Sequence, residues 1–116
     1  MTHYLMSVIH DWDDMGMTEE EMQESYRQTD AYNTELQESG HWVFGGGLLH
    51  PSNSTVVDGR KGGSIITDGP YVEAKEQLGG FWVIDAADLG EALEMARRAS
   101  EACMHPVELR PFQGDS

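Results

Sequence analysis

Apolar side chains recur along the chain in short segments whose spacing predicts alternating strands and helices. Between residues 4 and 10 they occupy both parities, with Tyr4, Met6 and Val8 on one side and Leu5 and Ile9 on the other. Apolar positions on both sides are typical of a strand that is covered on both faces. Further strands are predicted at residues 41–49, 54–58, 64–67, 81–86 and 106–112, and residues 81–86 are again apolar on both sides.

The first helix is predicted to start at Thr18, which forms the S/T-x-x-E pattern of a capping box with Glu21. Met17 and Met22 are spaced for a hydrophobic staple, and Gly40 is placed to end the helix. One apolar stripe is expected to face the core, formed by Met22, Tyr26, Thr29, Tyr32 and Leu36.

A second helix is predicted after Asp88, which precedes Glu91 by three residues and is placed to cap the helix N-terminus. Its expected core stripe consists of Leu89, Ala92, Leu93, Ala96 and Ala99. The predicted order is therefore βαββββαβ over a single domain of residues 1–116. We interpret it as an α+β, ferredoxin-like βαββαβ protomer with an extra hairpin at residues 54–67.

Two helices can cover only one face of such a sheet, whereas residues 4–10 and 81–86 are apolar on both. The other face therefore needs a cover, and a symmetric homodimer that packs sheet against sheet would supply it. We expect this dimer to enclose a cleft beside the loops of the sheet.

Composition restricts the possible partners. The 116 residues include 21 Asp and Glu but only seven Lys and Arg, giving a net charge of −14. Such a chain is not expected to bind nucleic acid or an anionic membrane surface, because both need clustered cations. No apolar run is long enough to span a bilayer, and no basic region precedes the first apolar run. With Cys103 as the single cysteine, the expected location is the cytoplasm.

The densest group of reactive side chains lies at residues 67–80, in the run TDGPYVEAKEQLGG. Asp68, Gly69 and Pro70 predict a turn, and Pro70 is placed to start a short helical turn that ends at Gly79. A carboxylate beside a lysine on such a loop could carry acid–base chemistry or bind an anionic substrate. The alternatives are a purely structural role for Asp68 and a solvated ion pair of Lys75 with a neighbouring glutamate.

The five histidines do not have the compact spacing of a zinc site, and no metal site is predicted. His10 and His50 are candidate bases near neutral pH, each with the alternative of an ordinary strand-end residue. A pairing of either histidine with Asp68 is a further hypothesis. Residues 45–47, all glycine, predict a bulge or a pocket wall of bare backbone. Cys103 has no identifiable activating base.

The run TDGPYVEAKEQLGG resembles the signature of the DGPF subgroup of the YCII-related family, close to TDGPF-x-E-x-KEQLGG, with Tyr71 in place of the usual Phe. The similarity extends to the opening Tyr-Leu-Met, to Met-Thr-Glu-Glu-Glu, to Gly-Gly-Leu and to the closing Val-Glu-Leu-Arg-Pro. It implies a dimeric α/β barrel whose fold relatives include proteins like muconolactone isomerase and cofactor-free oxygenases. It also implies a link to extracytoplasmic-function sigma factors, beside which such proteins are often encoded. The signature positions matched here are Asp68, Gly69, Pro70, Glu73, Lys75, Glu76, Gly79 and Gly80.

These observations lead to one main functional hypothesis, a cofactor-free acid–base enzyme that acts on a small organic molecule in isomerase- or lactone-type chemistry. Its predicted catalytic residues are Asp68, His50 and His10, and its predicted substrate-binding residues are Lys75, Glu76, Glu73 and Tyr71. The alternatives are a non-catalytic small-molecule-binding or regulatory module and a purely structural dimer.

Overall fold

A computed structural model describes residues 2–114, apart from the side chain of Lys61. The chain forms β1 (Thr2–Asp11), α1 (Glu19–Glu38), β2 (Trp42–Gly47), β3 (Thr55–Asp58), β4 (Ile65–Asp68), β5 (Glu76–Ala86), α2 (Leu89–Cys103) and β6 (Val107–Pro111). Short 3₁₀ turns occur at Pro51–Asn53 and Arg60–Gly62.

Four strands form the main sheet in the order β2-β5-β1-β6, and every neighbouring pair is antiparallel. This α+β arrangement is compatible with the predicted ferredoxin-like protomer. Strands β3 and β4 pair only with each other, from Thr55 opposite Asp68 to Asp58 opposite Ile65, and form a separate two-stranded ribbon. The extra hairpin is therefore confirmed.

The signals predicted for α1 are present in the structure. Thr18 accepts a hydrogen bond from the Glu21 amide and the Glu21 carboxylate accepts one from the Thr18 amide, which completes the capping box. Gly40 follows the last helical turn at φ +82°, and the amide of His41 donates to the Leu36 carbonyl across that turn. This is the Schellman arrangement that favours glycine.

The predicted core stripes need correction in both helices. Tyr26 is 63% exposed, and Ser25 is buried in its place because its hydroxyl donates to the Cys103 carbonyl at 2.8 Å. In α2, Leu89 and Leu93 are exposed. The buried side of α2 is formed by Ala92, Met95, Ala96, Ala99, Ala102 and Cys103. These mostly small side chains allow close packing, and the two leucines lie outside the contact.

The end of β2, the start of β5 and one predicted helical turn also differ from the expectations drawn from the sequence. β2 ends at Gly47, two residues before the predicted end. The predicted helical turn at residues 70–79 is absent: residues 70–75 are irregular, and β5 already begins at Glu76. β5 is longer than expected because it pairs with β1 along its whole length, and Gly79 lies inside it.

The two faces of the main sheet have different surroundings. Tyr4, Met6 and Val8 are buried under the helices, together with Trp82 and Ile84 of β5. Most of the alternate residues on the opposite face are half-buried, although Ser7 is buried, and Phe44 at the edge of this face is 61% exposed. Within the described residues no helix lies over this open face, which is formed by Leu5, Ile9, Phe44, Phe81 and Val83.

Candidate functional site

A cavity of about 490 Å³ lies between α1 and the helix-covered face of the sheet. Its floor comes from the end of β1 and the middle of β5, and its roof includes the loop between β1 and α1. Gly46 and Gly47 of β2 form part of one wall with bare backbone, so the interpretation of a glycine-lined pocket applies to these two residues. The remaining walls are mostly apolar.

His10 occupies a niche that exists only because residue 79 is glycine. A Cβ at Gly79 would lie 2.1 Å from the His10 Nε2 atom, far inside van der Waals contact. The register of β1 on β5 shifts at this point, where Val8 opposes Gly80 and Ile9 opposes Leu78, so Gly79 is an extra residue in the ladder. The bulge and the missing side chain together seat the imidazole against the floor of the cavity.

Four aromatic rings form a row from the cavity to the surface. The centroids of His105 and His10 are 4.7 Å apart, those of His10 and Trp12 are 4.7 Å apart, and those of Trp12 and His50 are 5.4 Å apart. His105 is placed by β6, whose Val107 opposes Val8, and by the Ile9 amide, which donates to the Pro106 carbonyl at 3.2 Å.

Burial favours the neutral form of both histidines of the cavity. Burial lowers the pKa of His10, and the nearby Asp11 opposes this effect only in part. Burial also lowers the pKa of His105, and the adjacent His10 lowers it further. The His10 Nδ1 atom is buried and has no hydrogen bond of normal geometry. Neutral imidazoles can accept a proton near neutral pH, so this pair is suited to general-base chemistry.

The opposite wall of the cavity carries polar groups of α1. The Asn33 side-chain oxygen accepts a hydrogen bond of 2.6 Å from Trp82 Nε1, and Thr29 and Asp30 line the same wall. Cys103 also lines the cavity, but burial raises the pKa of its thiol, which disfavours the reactive thiolate. The cavity thus has histidines on one side and amide, hydroxyl and carboxylate groups on the other.

His10 is the one predicted site residue that lines this cavity; His50 lies beside it. The Nε2 atom of His50 lies 3.3 Å from the Asp13 carboxylate, and its ring contacts Trp12. Asp68 ends β4 on the exposed ribbon, followed by Gly69 at φ +97° as the turn prediction requires. Among the described hydrogen bonds and ion pairs, none joins Asp68 to either histidine.

The predicted substrate-binding residues follow Asp68 along an exposed segment and do not line the cavity: Tyr71, Glu73, Lys75 and Glu76. Tyr71 is 85% exposed. The segment is tied to β5 through Gln77, whose side-chain amide donates to the carbonyls of Val72 and Ala74. Their functional roles stay predictions.

Sequence reasoning missed His105 and the role of Gly79. A tryptophan such as Trp12 is expected in a core, an interface or a pocket wall, and its i+2 spacing after His10 places both on one side of an extended chain. His105 contacts His10 only because β6 pairs with β1, a register that local patterns do not contain. Within residues 2–114, no three His, Cys, Asp or Glu side chains are grouped as a metal site would require, and neither described helix is long and apolar enough to cross a membrane.

Comparison with known proteins shows which family the chain belongs to. The family model described as YCII-related domain matches residues 4–112, nearly the whole chain. The chain belongs to the YCII-related family. An uncharacterized protein of Rhizobium meliloti (strain 1021) is 35% identical over 97 residues, which cover 82% of this chain and 78% of that protein. The resemblance to the YCII-related family is thus confirmed.

The structure explains two glycines of the signature-like run in this YCII-related protein. Gly79 makes room for His10, as described above. A Cβ at Gly80 would lie 3.0 Å from the Gly46 carbonyl oxygen and 3.2 Å from the Gly47 Cα, so Gly80 allows β2 to approach β5 closely. Both glycines therefore shape the cavity through packing, in addition to forming β5.

Proposed function

We propose that this YCII-related protein binds a small organic molecule of low polarity in the cavity between α1 and the sheet, and acts on it by acid–base catalysis without a cofactor. The observation that carries the proposal is His10, an imidazole in the cavity wall whose buried Nδ1 has no hydrogen bond of normal geometry. A buried polar atom of this kind is uncommon unless a ligand or water satisfies it.

The chemistry that fits is transfer of a proton from a carbon next to a carbonyl group. His10 would accept the proton from the substrate C–H, and the electron pair would move into an enolate. Return of the same proton to a different carbon completes an isomerisation and restores the neutral base. Asn33 and Thr29 on the facing wall are placed to bind the polar end of such a molecule.

A screen of small lactones and unsaturated ketones by thermal shift, followed by NMR of the mixtures, tests this proposal. We expect a hit to raise the melting temperature and to exchange or relocate a C–H proton. His10→Gln should abolish the proton transfer. His3→Gln, which removes a histidine that does not line the cavity, should leave it intact. Proton transfer that survives in His10→Gln would contradict the assigned role.

A second candidate is a binding or regulatory module without turnover, which the resemblance to the DGPF subgroup connects with extracytoplasmic-function sigma factors. It is favoured by the absence, among the described hydrogen bonds, of a carboxylate bonded to His10 or His105, since an orienting partner usually accompanies a catalytic histidine. A ligand that raises the melting temperature by mass action and is recovered unchanged would support this candidate.

The homodimer is part of the same proposal. The open face carries five apolar side chains on the three strands β1, β2 and β5, and a second copy of that face would remove them from water. The cavity lies on the other side of the sheet, so the dimer would support its floor from behind. Asp68 and the segment after it lie outside the cavity, and the proposed chemistry does not depend on them.

A further inference from the structure

We infer that His50 and Asp13 form a latch that holds the loop of residues 12–17 over the cavity and thereby controls entry and exit of the ligand. His50 is then a positioning residue instead of the catalytic base expected from sequence. The inference rests on the proposed function in so far as the cavity is the ligand site.

The loop forms a roof over the cavity. Trp12, Met15 and Met17 line the cavity from the segment between β1 and α1, which contains no helix or strand. Gly16 turns the chain at φ +65°, and the Asp11 carboxylate accepts hydrogen bonds from the amides of Asp13 and Asp14. These bonds are local and shape the loop without tying it to the rest of the molecule.

Two side-chain hydrogen bonds connect this roof to the other elements among the described residues. Trp12 Nε1 donates to the Leu78 carbonyl at 3.4 Å, and the His50–Asp13 pair is 3.3 Å long. Both are long and solvent-exposed, and exposed pairs of this kind contribute little to stability. An attachment this weak suits a roof that must open and close.

The hydrogen bonds of His50 define its role. The Ser52 amide donates to His50 Nδ1 at 3.1 Å, so in the neutral ring the proton resides on Nε2, which donates to the Asp13 carboxylate. The lone pair that a general base needs is therefore already engaged by Ser52. His50, which follows β2 after two intervening residues, caps the 3₁₀ turn Pro51–Asn53, and this turn anchors the latch to the body of the protein.

The roof also suits varied ligands because two of its three cavity-lining side chains are methionines, which adapt to irregular shapes. Trp12 contacts His10 on one side and His50 on the other. Opening of the latch would therefore move the indole ring that covers the proposed base.

Hydrogen–deuterium exchange of the full-length protein, without ligand, tests the latch directly. Asp13→Ala and His50→Phe should each raise exchange in residues 12–17 roughly threefold, as expected for loss of one weak hydrogen bond. The double variant should exchange no faster than either single variant.

Asp13→Asn is the matched control: it removes the charge but keeps an oxygen that accepts a hydrogen bond from neutral His50, so its exchange should stay near that of the wild type. Unchanged exchange in the two disruptive variants, or additive effects, would overturn the inference.

Stopped-flow binding of the neutral dye N-phenyl-1-naphthylamine provides the second measurement. If the dye binds, both latch variants should accelerate its association and its dissociation while the Kd and the melting temperature stay nearly constant. Equal rates in wild type and variants would overturn the latch and leave the cavity proposal intact. If neither the wild type nor the variants bind the dye or a screened ligand, the result counts against the cavity proposal. Hydrogen exchange still decides on the latch in that case.

Discussion

The position of the His10 ring depends on the absence of a side chain at Gly79 in the neighbouring strand β5. At Gly79 an added methyl group would meet the imidazole ring at 2.1 Å, and the ring is confined by Trp12 and His105 on its other sides. Such a clash is relieved only by moving His10 out of the niche or by shifting β1 relative to β5.

Gly79→Ala is therefore expected to lower the free energy of unfolding by about 1–3 kcal/mol, the range of overpacked sites, and to abolish ligand binding in the cavity. The matched control is Gly46→Ala in β2, where a Cβ would meet nothing within 4 Å. Urea unfolding of both variants measures the difference. An equal loss in the two would show that the niche does not constrain His10.

Titration of the same ring should appear in the pH dependence of stability. The lowered pKa values of His10 and His105 mean that the folded state binds a proton less readily than the unfolded state. Stability is therefore expected to fall as the pH drops below about 6.5, the unfolded value, and to stop falling below the folded pKa.

Urea unfolding between about pH 8 and pH 5 checks this expectation, since the fall should be smaller in His10→Gln. The His3→Gln variant should follow the wild type. An unchanged fall in His10→Gln would mean that this histidine is not the group that the fold keeps neutral.

At the scale of elements, α1 could be predicted from sequence because its signals are local. At its start Thr18 bonds Glu21 three residues on, and at its end His41 bonds Leu36 across Gly40, so each signal spans only a few residues, and the structure reproduces both. The start of β5 was not predictable in the same way, since it depends on pairing with β1. The candidate site was found only in part, because His105 and His10 meet through the register of β6 on β1.

The capping box of α1 provides a test at this scale. Thr18→Ala removes the acceptor for the Glu21 amide and should cost about 1 kcal/mol of unfolding free energy. Thr34→Ala removes the same hydroxyl from an exposed position within α1, where it bonds the Asp30 carbonyl one turn back, and should change stability little. Thermal unfolding compares the two. A loss in Thr34→Ala as large as in Thr18→Ala would contradict the assigned role of the cap.

At the scale of the whole molecule, the described chain is flat and measures 45 × 41 × 19 Å. Both helices lie on one side of the main sheet, and the Phe44 and Phe81 rings, 5.9 Å apart, remain accessible on the other. The net charge of −14 opposes association over long range, so contact between two copies must come from apolar surface and be favoured by added salt. The open face is the side of the main sheet where, within the described chain, apolar side chains remain without a covering helix.

The proposed dimer predicts that Val83→Glu, in the centre of the open face, converts the protein to monomers at micromolar concentration. A buried carboxylate on each copy would lack a partner there, and two such charges would face each other across the symmetry axis. Val57→Glu places the same charge on the separate ribbon, at a residue that is 63% exposed, and should leave the dimer intact. Sedimentation equilibrium of wild type and both variants distinguishes the cases. A monomeric wild type would remove the dimer from the proposal, and dissociation by Val57→Glu alone would move the interface from the sheet to the ribbon.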